Sequence, residues 1–254
     1  MDSTEYLNNV ITKYHVGEQI DVSTQYFVIN PLREQILNWA GVCVNDIKIS
    51  GSRSKGTALN ISSDIDLFIS LHSSYSGTLK SMYDSLYTYM MNRGYKSRKQ
   101  NVSIGVNLNG HSIDLVPGKK HIGNTNYHSL YLNKRDSWTQ TNIDQHINLV
   151  KNSGRVNEII LLKIWKNLHG LEFPSIYLEL ITIDALRYKQ KGNLANNFLE
   201  LLRYLASGFV DKRVVDPSNS NNIISDDLYK YEKEKIATTA NSSLKEQYWS
   251  SIVW

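Results

Sequence analysis

A pair of acidic residues at the start of an apolar run constrains the fold of this chain more than any other feature. Residues 63–69 read SDIDLFI, in which carboxylates alternate with apolar side chains. In a strand, residues two apart point to the same face, so Asp64 and Asp66 are expected to project together while their apolar neighbours point into a core. Two close carboxylates repel each other unless a cation lies between them. The pattern therefore predicts a buried strand that carries a metal site.

A short turn rich in hydrogen-bond donors precedes this strand. Residues 51–57 read GSRSKGT and follow a β-branched run over 44–49. Gly51 and Ser52 offer backbone N–H groups, a hydroxyl and little bulk, which are the features that a phosphate group requires. Mg²⁺ prefers oxygen ligands and often keeps a substrate phosphate in its coordination shell. Each motif alone is common in turns and at strand edges, but their combination favours nucleotide chemistry.

A third acidic residue lies in a predicted hairpin. Residues 101–116 read NVSIGVNLNGHSIDLV, two alternating segments joined by Asn109-Gly110, which is a strong hairpin signal. Asp114 lies between two apolar residues of the second segment, where a buried charge needs a partner or a metal. If the hairpin pairs beside 65–71, Asp114 faces the acidic pair. Three converging acids would form a site for two cations, which together stabilise an in-line phosphoryl displacement.

The periodicity of the remaining sequence predicts an α/β half followed by a helical half. Helices are expected over 3–15, 23–40 (with a kink or restart at Pro31) and 78–92, and strands over 44–50, 64–71, 95–108, 111–116 and 129–132. After residue 141 the strand signal ends. Helices are expected there over 141–152, 155–169, 174–190, 194–207 and 225–250, with a Pro- and Asn-rich turn at 215–222. The sequence thus predicts a catalytic domain over 1–140 and a helical nucleotide-binding domain over 141–254.

Composition excludes several classes of protein. The 254 residues are 41% hydrophobic and 20% charged, which is typical of a globular chain. One cysteine excludes internal disulfides and Cys-rich zinc sites and favours a reducing compartment. No apolar run is long enough to cross a bilayer and the N-terminus lacks signal-peptide features, so we expect a cytoplasmic protein without a membrane partner. The net charge of +4 suits polyphosphate binding better than an extended nucleic-acid surface.

Two features of the helical half could hold an anionic ligand. Lys163 lies in the apolar segment 159–165, where a lysine must reach solvent, pair with an anion or shift its pKa. Ser175 begins a predicted helix, and a serine there is usually a cap. A helix N-terminus nevertheless also attracts anions.

These motifs resemble the polymerase-β-like nucleotidyltransferases. Within that superfamily, GSRSKGT…SDIDL followed by HSIDLVPG is most similar to the group that holds cyclic-GMP-AMP synthase, oligoadenylate synthase and their bacterial relatives, the CD-NTases. Archaeal CCA-adding enzymes are cousins of this group. The resemblance covers the first half of the chain closely and the second half more loosely. It implies an α+β fold in which a nucleotidyltransferase domain with a small mixed sheet precedes a helical bundle, with a nucleotide cleft between them.

The resemblance also implies roles for the acidic residues. Asp64 and Asp66 would hold both Mg²⁺ ions, for which Mn²⁺ could substitute. Asp114 would bind the catalytic metal, where it helps to activate the attacking hydroxyl. These three residues are thus the implied catalytic and metal-binding set.

The implied nucleotide-binding residues lie in both halves of the chain. Gly51, Ser52 and Lys163 would hold the triphosphate, and Ser175 would contact it. An aromatic residue beside the serine stacks on the base in related enzymes. In this chain the residue next to the serine is not aromatic, and the aromatic side chain, Tyr177, comes one position later.

The predicted reaction is attack of a 2′- or 3′-hydroxyl on the α-phosphate of an NTP, with release of pyrophosphate. If the acceptor is another nucleotide, the product is a cyclic or linear oligonucleotide signal, as in bacterial antiviral nucleotidyltransferases. If it is an RNA 3′ end, the chain acts like a CCA-adding enzyme, although its short length and mild charge favour the first hypothesis. A third hypothesis is a catalytically silent nucleotide- or RNA-binding module, which has no need of three mutually repelling acids. An activator of unknown identity stays open as a further partner.

Overall fold

Short strands and helices follow one another along the chain. The computed structural model describes residues 2–62, 64–123 and 125–254, so Ser63, the first residue of the acidic segment, lies outside the described residues. The strands are β1 (His15–Val16), β2 (Val44–Ile49), β3 (Ala58–Leu59), β4 (Ile65–Leu71), β5 (Ser97–Lys99), β6 (Ile104–Leu108), β7 (His111–Lys120), β8 (His128–Leu132), β9 (Ser137–Thr141), β10 (Val215–Asp216) and β11 (Asn219–Ile223). The helices are α1 (Ser3–Tyr14), α2 (Val22–Thr24), α3 (Asn30–Ala40), α4 (Gly51–Lys55), α5 (Leu79–Asn92), α6 (Ile143–Lys151), α7 (Val156–Leu168), α8 (Ser175–Ala185), α9 (Leu194–Ser207) and α10 (Lys230–Ser243). A π-helical turn, Gln25–Ile29, links α2 to α3.

Contacts divide the chain into two compact units, each assembled from separate stretches of sequence. The sheet unit contains Gly17–Lys55 and Ser63–Ile147. The helical unit contains Met1–Val16, Gly56–Ser62 and Asn148–Trp254. The sequence-based division into a catalytic domain over 1–140 and a nucleotide-binding domain over 141–254 concerns function, and it stays a prediction.

The sheet unit is built on a mixed sheet with the strand order β2-β4-β7-β6-β5, and β8 and β9 extend it from β7. β4 pairs antiparallel with β2 and parallel with β7. Ile65, Leu67, Ile69 and Leu71 of β4 are buried in one core with apolar side chains of α5, whose Met82, Tyr83, Leu86 and Met90 recur at helical spacing. Thr78 caps α5, because its side chain accepts a hydrogen bond of 3.0 Å from the backbone N–H of Ser81. The apolar alternation of the sequence therefore anchors β4 from the face opposite its acids.

The helical unit buries a second apolar core. The core is formed mainly by α1, α7, α8, α9 and α10. Every residue of α7 from Glu158 to Trp165 is buried, as expected for a helix that is apolar on all sides. None of the described helices combines the length and the apolar character needed to span a membrane.

The structure corrects several predicted elements. The strand predicted over 95–108 is two strands, β5 and β6, that pair with each other. The polar residues of 137–141 form β9, since they pair along their whole length with β8. The prediction that strands end at residue 141 is wrong, because the run predicted as a turn at 215–222 belongs to the hairpin of β10 and β11. The last long helix is also shorter than predicted. The restart expected at Pro31 is confirmed, because α3 begins at Asn30 directly after the π-helical turn and has the proline in its first turn.

Charged residues inside the helical unit occur as satisfied networks. Arg155 is 3% exposed, and its Nη1 lies 3.2 Å from Oε1 of Glu158. Its Nη2 also donates to the carbonyl oxygen of Leu186 at 2.7 Å. Asn197 donates to the same Glu158 oxygen at 2.8 Å. The network joins the start of α7 to the end of α8 and to α9.

We predict that Arg155→Met lowers the free energy of unfolding by about 3–5 kcal/mol, because it leaves the Glu158 carboxylate buried without its cation. Urea denaturation followed by circular dichroism measures this change. The matched control is Arg187→Met, since the ion pair between Arg187 and Asp184 is largely exposed and should contribute less than about 1 kcal/mol. Equal, small losses in the two variants would contradict a stabilising role for the buried network.

Candidate active site

Two of the predicted catalytic acids are direct neighbours in the sheet. Asp66 on β4 and Asp114 on β7 are paired in register across the parallel ladder. Paired residues of adjacent strands project from the same face, about 4.8 Å apart along the hydrogen-bonding direction. The expectation that the hairpin pairs beside 65–71 is therefore confirmed. Asp64 precedes β4 and is half-buried, as are the other two acids.

The surroundings of Asp114 make its negative charge unfavourable. Burial is the main cause that raises the pKa of this carboxyl, and the charge of Asp64 raises it further. Arg98 and hydrogen bonds from Ser103 and Gln100 act in the opposite direction. Asp64 therefore acts electrostatically on Asp114, and Asp66 is the neighbour of Asp114 in the strand ladder. A cation at this site would relieve their repulsion.

The turn after β2 approaches the acids closely. Gly51 has a φ of +62°, and a Cβ atom built on it would overlap the carboxylate of Asp66. The backbone N–H of Ser50 donates to the carbonyl oxygen of Asp66 at 2.8 Å. Ser54 closes the turn, because its hydroxyl donates to the carbonyl oxygen of Ile49 at 2.6 Å. Gly51 is therefore required twice, for its backbone conformation and for the space that the carboxylate occupies.

Ser52 lies in the first turn of the five-residue helix α4, and it is half-buried. The structure thus places both residues of the predicted phosphate-binding turn next to the acidic strand. Their assignment to a triphosphate stays a prediction.

The donor atoms at this site fit a hard cation. Mg²⁺ takes carboxylate oxygens as ligands and completes its octahedron with waters and substrate phosphates. Across residues 2–62, 64–123 and 125–254, no three His, Cys, Asp or Glu side chains are drawn together into a group that could hold a metal ion alone. The adjacent carboxylates of Asp66 and Asp114 supply part of such a ligand set. The remaining ligands would have to come from Asp64, from water or from a phosphate.

Lys163 of the helical unit lies in a buried ion pair. Its Nζ is 2.8 Å from Oε1 of Glu179 and 2.8 Å from the hydroxyl oxygen of Thr57. The lysine is 5% exposed and Glu179 is fully buried. A lysine in this apolar helix is expected to reach solvent, to pair with an anion or to shift its pKa, and in the structure it pairs with an anion, the Glu179 carboxylate. Contact of Lys163 with a triphosphate stays a prediction.

The other two predicted nucleotide-binding residues lie on α8. Ser175 is its exposed first residue. Tyr177 is fully buried, and its ring packs against the rings of Phe173 and Phe209 at centroid distances of 5.3 and 5.4 Å. Burial raises the pKa of the Tyr177 hydroxyl, which has no hydrogen-bond partner among the described residues. Stacking on a base stays a prediction, and it would require this ring to leave its aromatic neighbours.

Sequence reasoning missed the polar residues that contact the predicted ones. Glu179 had a usable signal, because it is an acid between two leucines and could be expected to pair with Lys163, which lies in an apolar segment of α7. Gln100 contacts Asp114 from the turn between β5 and β6, which the sequence predicts as part of one long strand. That contact had no sequence signal, since it depends on the register of both strands.

The chain has an α+β fold that it shares with solved structures over at least 95% of its length, so the predicted fold class is confirmed. More particularly, solved structures that share this fold include bacterial CD-NTases. CdnG of Bradyrhizobium diazoefficiens in complex with GTP is 12% identical, with a TM-score of 0.78, over 96% of this chain and 90% of that one. The CdnE cyclic dinucleotide synthase of Elizabethkingia meningoseptica, with GTP and Apcpp, is also 12% identical, with a TM-score of 0.73, over 97% and 100% of the two chains.

The fold extends beyond the CD-NTases. A mutant of the Cid1 poly(U) polymerase bound to MgATP is 12% identical, with a TM-score of 0.64, over 98% of this chain and 97% of that one. No protein-family model and no curated protein matches the sequence. At this level of identity the similarity shows the fold alone, so the activity has to be inferred from the residues of the site.

We predict that Gly51→Ala destabilises the sheet unit by about 1–2 kcal/mol through its positive φ alone, and that it weakens NTP binding because the new methyl group displaces the Asp66 carboxylate. Urea denaturation and a titration with NTP and Mg²⁺ measure the two effects. Gly17→Ala is the matched control, since a Cβ there meets no atom within 4 Å. Identical behaviour of the two variants would show that the close approach at Gly51 has no role.

Proposed function

We propose that this chain is a Mg²⁺-dependent nucleotidyltransferase that joins nucleotides and releases pyrophosphate. The observation that carries the proposal is the in-register pairing of Asp66 and Asp114 beside a glycine turn that closely approaches the Asp66 carboxylate. A shared fold with GTP-bound and MgATP-bound proteins supports it. A binding module would gain nothing from carboxylates that repel each other at this distance.

In the proposed reaction, the Gly51-Ser52 turn binds phosphate oxygens of the NTP through its backbone N–H groups. Asp114 orients the attacking hydroxyl of the acceptor and accepts its proton. The hydroxyl oxygen forms a bond to the α-phosphorus, and the bond from that phosphorus to the bridging oxygen breaks as pyrophosphate leaves. Two Mg²⁺ ions held by Asp64, Asp66 and Asp114, for which Mn²⁺ could substitute, would supply the positive charge that stabilises the transferred phosphoryl group. Lys163, Ser175 and Tyr177 are proposed as further contacts of the nucleotide.

The proposed acceptor is a second nucleotide, so that the product is a cyclic or linear oligonucleotide messenger of the bacterial antiviral type. The likeness to a cyclic dinucleotide synthase supports this choice. The alternative acceptor is an RNA 3′ end, and the likeness to a poly(U) polymerase supports that alternative. A cytoplasmic location is part of the same proposal.

We predict that Asp66→Asn and Asp114→Asn each lower kcat/KM by a factor on the order of 10³ or more. Each substitution keeps the size of the side chain but removes a negative charge from the proposed Mg²⁺ site. Pyrophosphate release from NTPs measures the rate, and circular dichroism establishes that both variants fold. Asp46→Asn is the control, because this aspartate is exposed and lies near the start of β2, away from the Gly51-Ser52 turn that follows the strand. Full activity in both acid-site variants would overturn the proposal.

We predict that incubation of the chain with labelled ATP, GTP, CTP and UTP and Mg²⁺ yields a small product that resists phosphatase. Chelation with EDTA should abolish it. A parallel reaction with tRNA tests the alternative, because label in the RNA would assign the acceptor to a 3′ end. If no NTP gives pyrophosphate with or without RNA, the result favours a nucleotide-binding module or an enzyme that lacks its activator.

A further inference from the structure

We infer that Gln100, held in place by Ser103, is a positioning residue for Asp114; the inference rests on the proposed function of Asp114. Nε2 of Gln100 donates to Oδ1 of Asp114 at 2.8 Å. The hydroxyl of Ser103 donates to Oε1 of Gln100 at 3.0 Å. With the carbonyl end of the amide held by Ser103, the N–H₂ end faces the carboxylate. A chain of two hydrogen bonds therefore fixes the direction of one Asp114 oxygen.

A glycine opens the path between these side chains. Arg98 on β5 pairs with Gly105 on β6, and Gly105 pairs with Asp114 on β7. A Cβ atom at Gly105 would lie 2.7 Å from Nε2 of Gln100 and 2.8 Å from Nε of Arg98. Both side chains thus fill the space that a larger residue would occupy. Without that gap, Gln100 could not cross β6 to reach the acid.

The turn that carries Gln100 is itself anchored to the core. The hydroxyl of Tyr83, on α5, lies 2.6 Å from the carbonyl oxygen of Gln100 and 3.1 Å from that of Ser103. The backbone N–H of Gln100 donates to the carbonyl oxygen of Ser103 at 3.0 Å. Tyr83 and Ser103 are both buried. The amide therefore projects from a fixed backbone, and its hydrogen bond to Asp114 needs little further ordering.

This arrangement gives Gln100 a role distinct from that of an ion-pair partner. A neutral amide orients the carboxylate and leaves its charge for a cation. Such supporting partners of a metal-binding side chain typically change metal affinity or activity by about 10–100-fold when they are removed. The contact of the Gln100 amide is with Asp114, so the proposed effect of Gln100 passes through that carboxylate.

The test is a double-mutant cycle between Gln100→Met and Ser103→Ala. Gln100→Met keeps the length of the side chain and removes the donor, so we expect kcat to fall by about 10–100-fold with an unchanged KM for NTP. Ser103→Ala should cause a smaller fall. Because Ser103 orients Gln100 and also acts on Asp114 through a hydrogen bond of its own, the loss in the double variant should be smaller than the two single losses combined. Gln35→Met on α3 is the matched control, and we expect wild-type kcat from it.

A second readout does not depend on turnover. Electron paramagnetic resonance of Mn²⁺ with a non-hydrolysable NTP measures metal affinity, and Gln100→Met should weaken it by about 10–100-fold, whereas Gln35→Met should not. Unchanged kcat and unchanged Mn²⁺ affinity in Gln100→Met, or additive losses in the double variant, would overturn the inference. If the unaltered chain binds Mn²⁺ but transfers no nucleotide, the proposed function fails and the Mn²⁺ affinities still decide the role of Gln100. If the unaltered chain binds no Mn²⁺, both fail.

Discussion

The parallel pairing of β4 with β7 is the constraint on which the candidate site depends. It places the carboxylates of Asp66 and Asp114 side by side on one face of the sheet. Like charges at this separation oppose each other strongly away from bulk water, so the pairing must be held by forces that do not involve the acids. The apolar residues on the other face supply them, since Ile65, Leu67 and Leu115 are at most 3% exposed in the core of the sheet unit. The core thus fixes the acids in positions that they would not adopt by themselves.

The residues around the acids are small or neutral where they come closest. Gly51 leaves room for the Asp66 carboxylate, and Gly105 leaves room for Gln100 to cross β6. The cross-strand row that runs from Arg98 through Gly105 and Asp114 to Asp66 is therefore shaped by two missing side chains as much as by the charges. A Cβ at Gly51 would overlap the Asp66 carboxylate, and a Cβ at Gly105 would displace Gln100 and Arg98. Both glycines therefore shape the polar face of the sheet, whereas the apolar core lies on its other face.

The parts that the sequence predicts well are those that depend on local patterns. Alternation over 63–69 and the Asn109-Gly110 turn are enough to predict β4, β7 and the direction of their acids, because a strand has a period of two and a hairpin fixes its own register. The sequence does not predict that β7 pairs with β4; it predicts only that Asp114 faces the acidic pair if the two strands are neighbours. The structure shows that they are. Hydrophobic periodicity likewise predicts α7 almost to its ends, since a helix that is apolar on all sides must be buried.

The parts that could not be predicted depend on contacts between distant residues. Burial of Tyr177 follows from its packing with Phe209, which is far along the chain, and so its ring lies in a core where the family resemblance implies a base contact. The hairpin at 215–222 carries polar side chains at almost every position, and it forms because backbone groups pair and Asp216 accepts hydrogen bonds from Ser218. Neither feature has a period that a sequence pattern could reveal.

The buried charges of the two units differ in a way that bears on function. In the helical unit, Lys163 lies against Glu179 and Arg155 against Glu158, so both of these buried cations meet an acid within 3.2 Å. In the sheet unit, the half-buried Asp114 is bonded to the neutral amide of Gln100 and stands in register with another acid, and Arg98 offsets only part of the effect of burial and of Asp64 on its pKa. Opposite charges that are buried together satisfy each other, whereas acids buried together raise the energy of the folded chain until a cation binds. A local arrangement that lowers the stability of the folded chain in this way is typical of a functional site. A cation that binds there would stabilise the folded state and offset the repulsion between the acids.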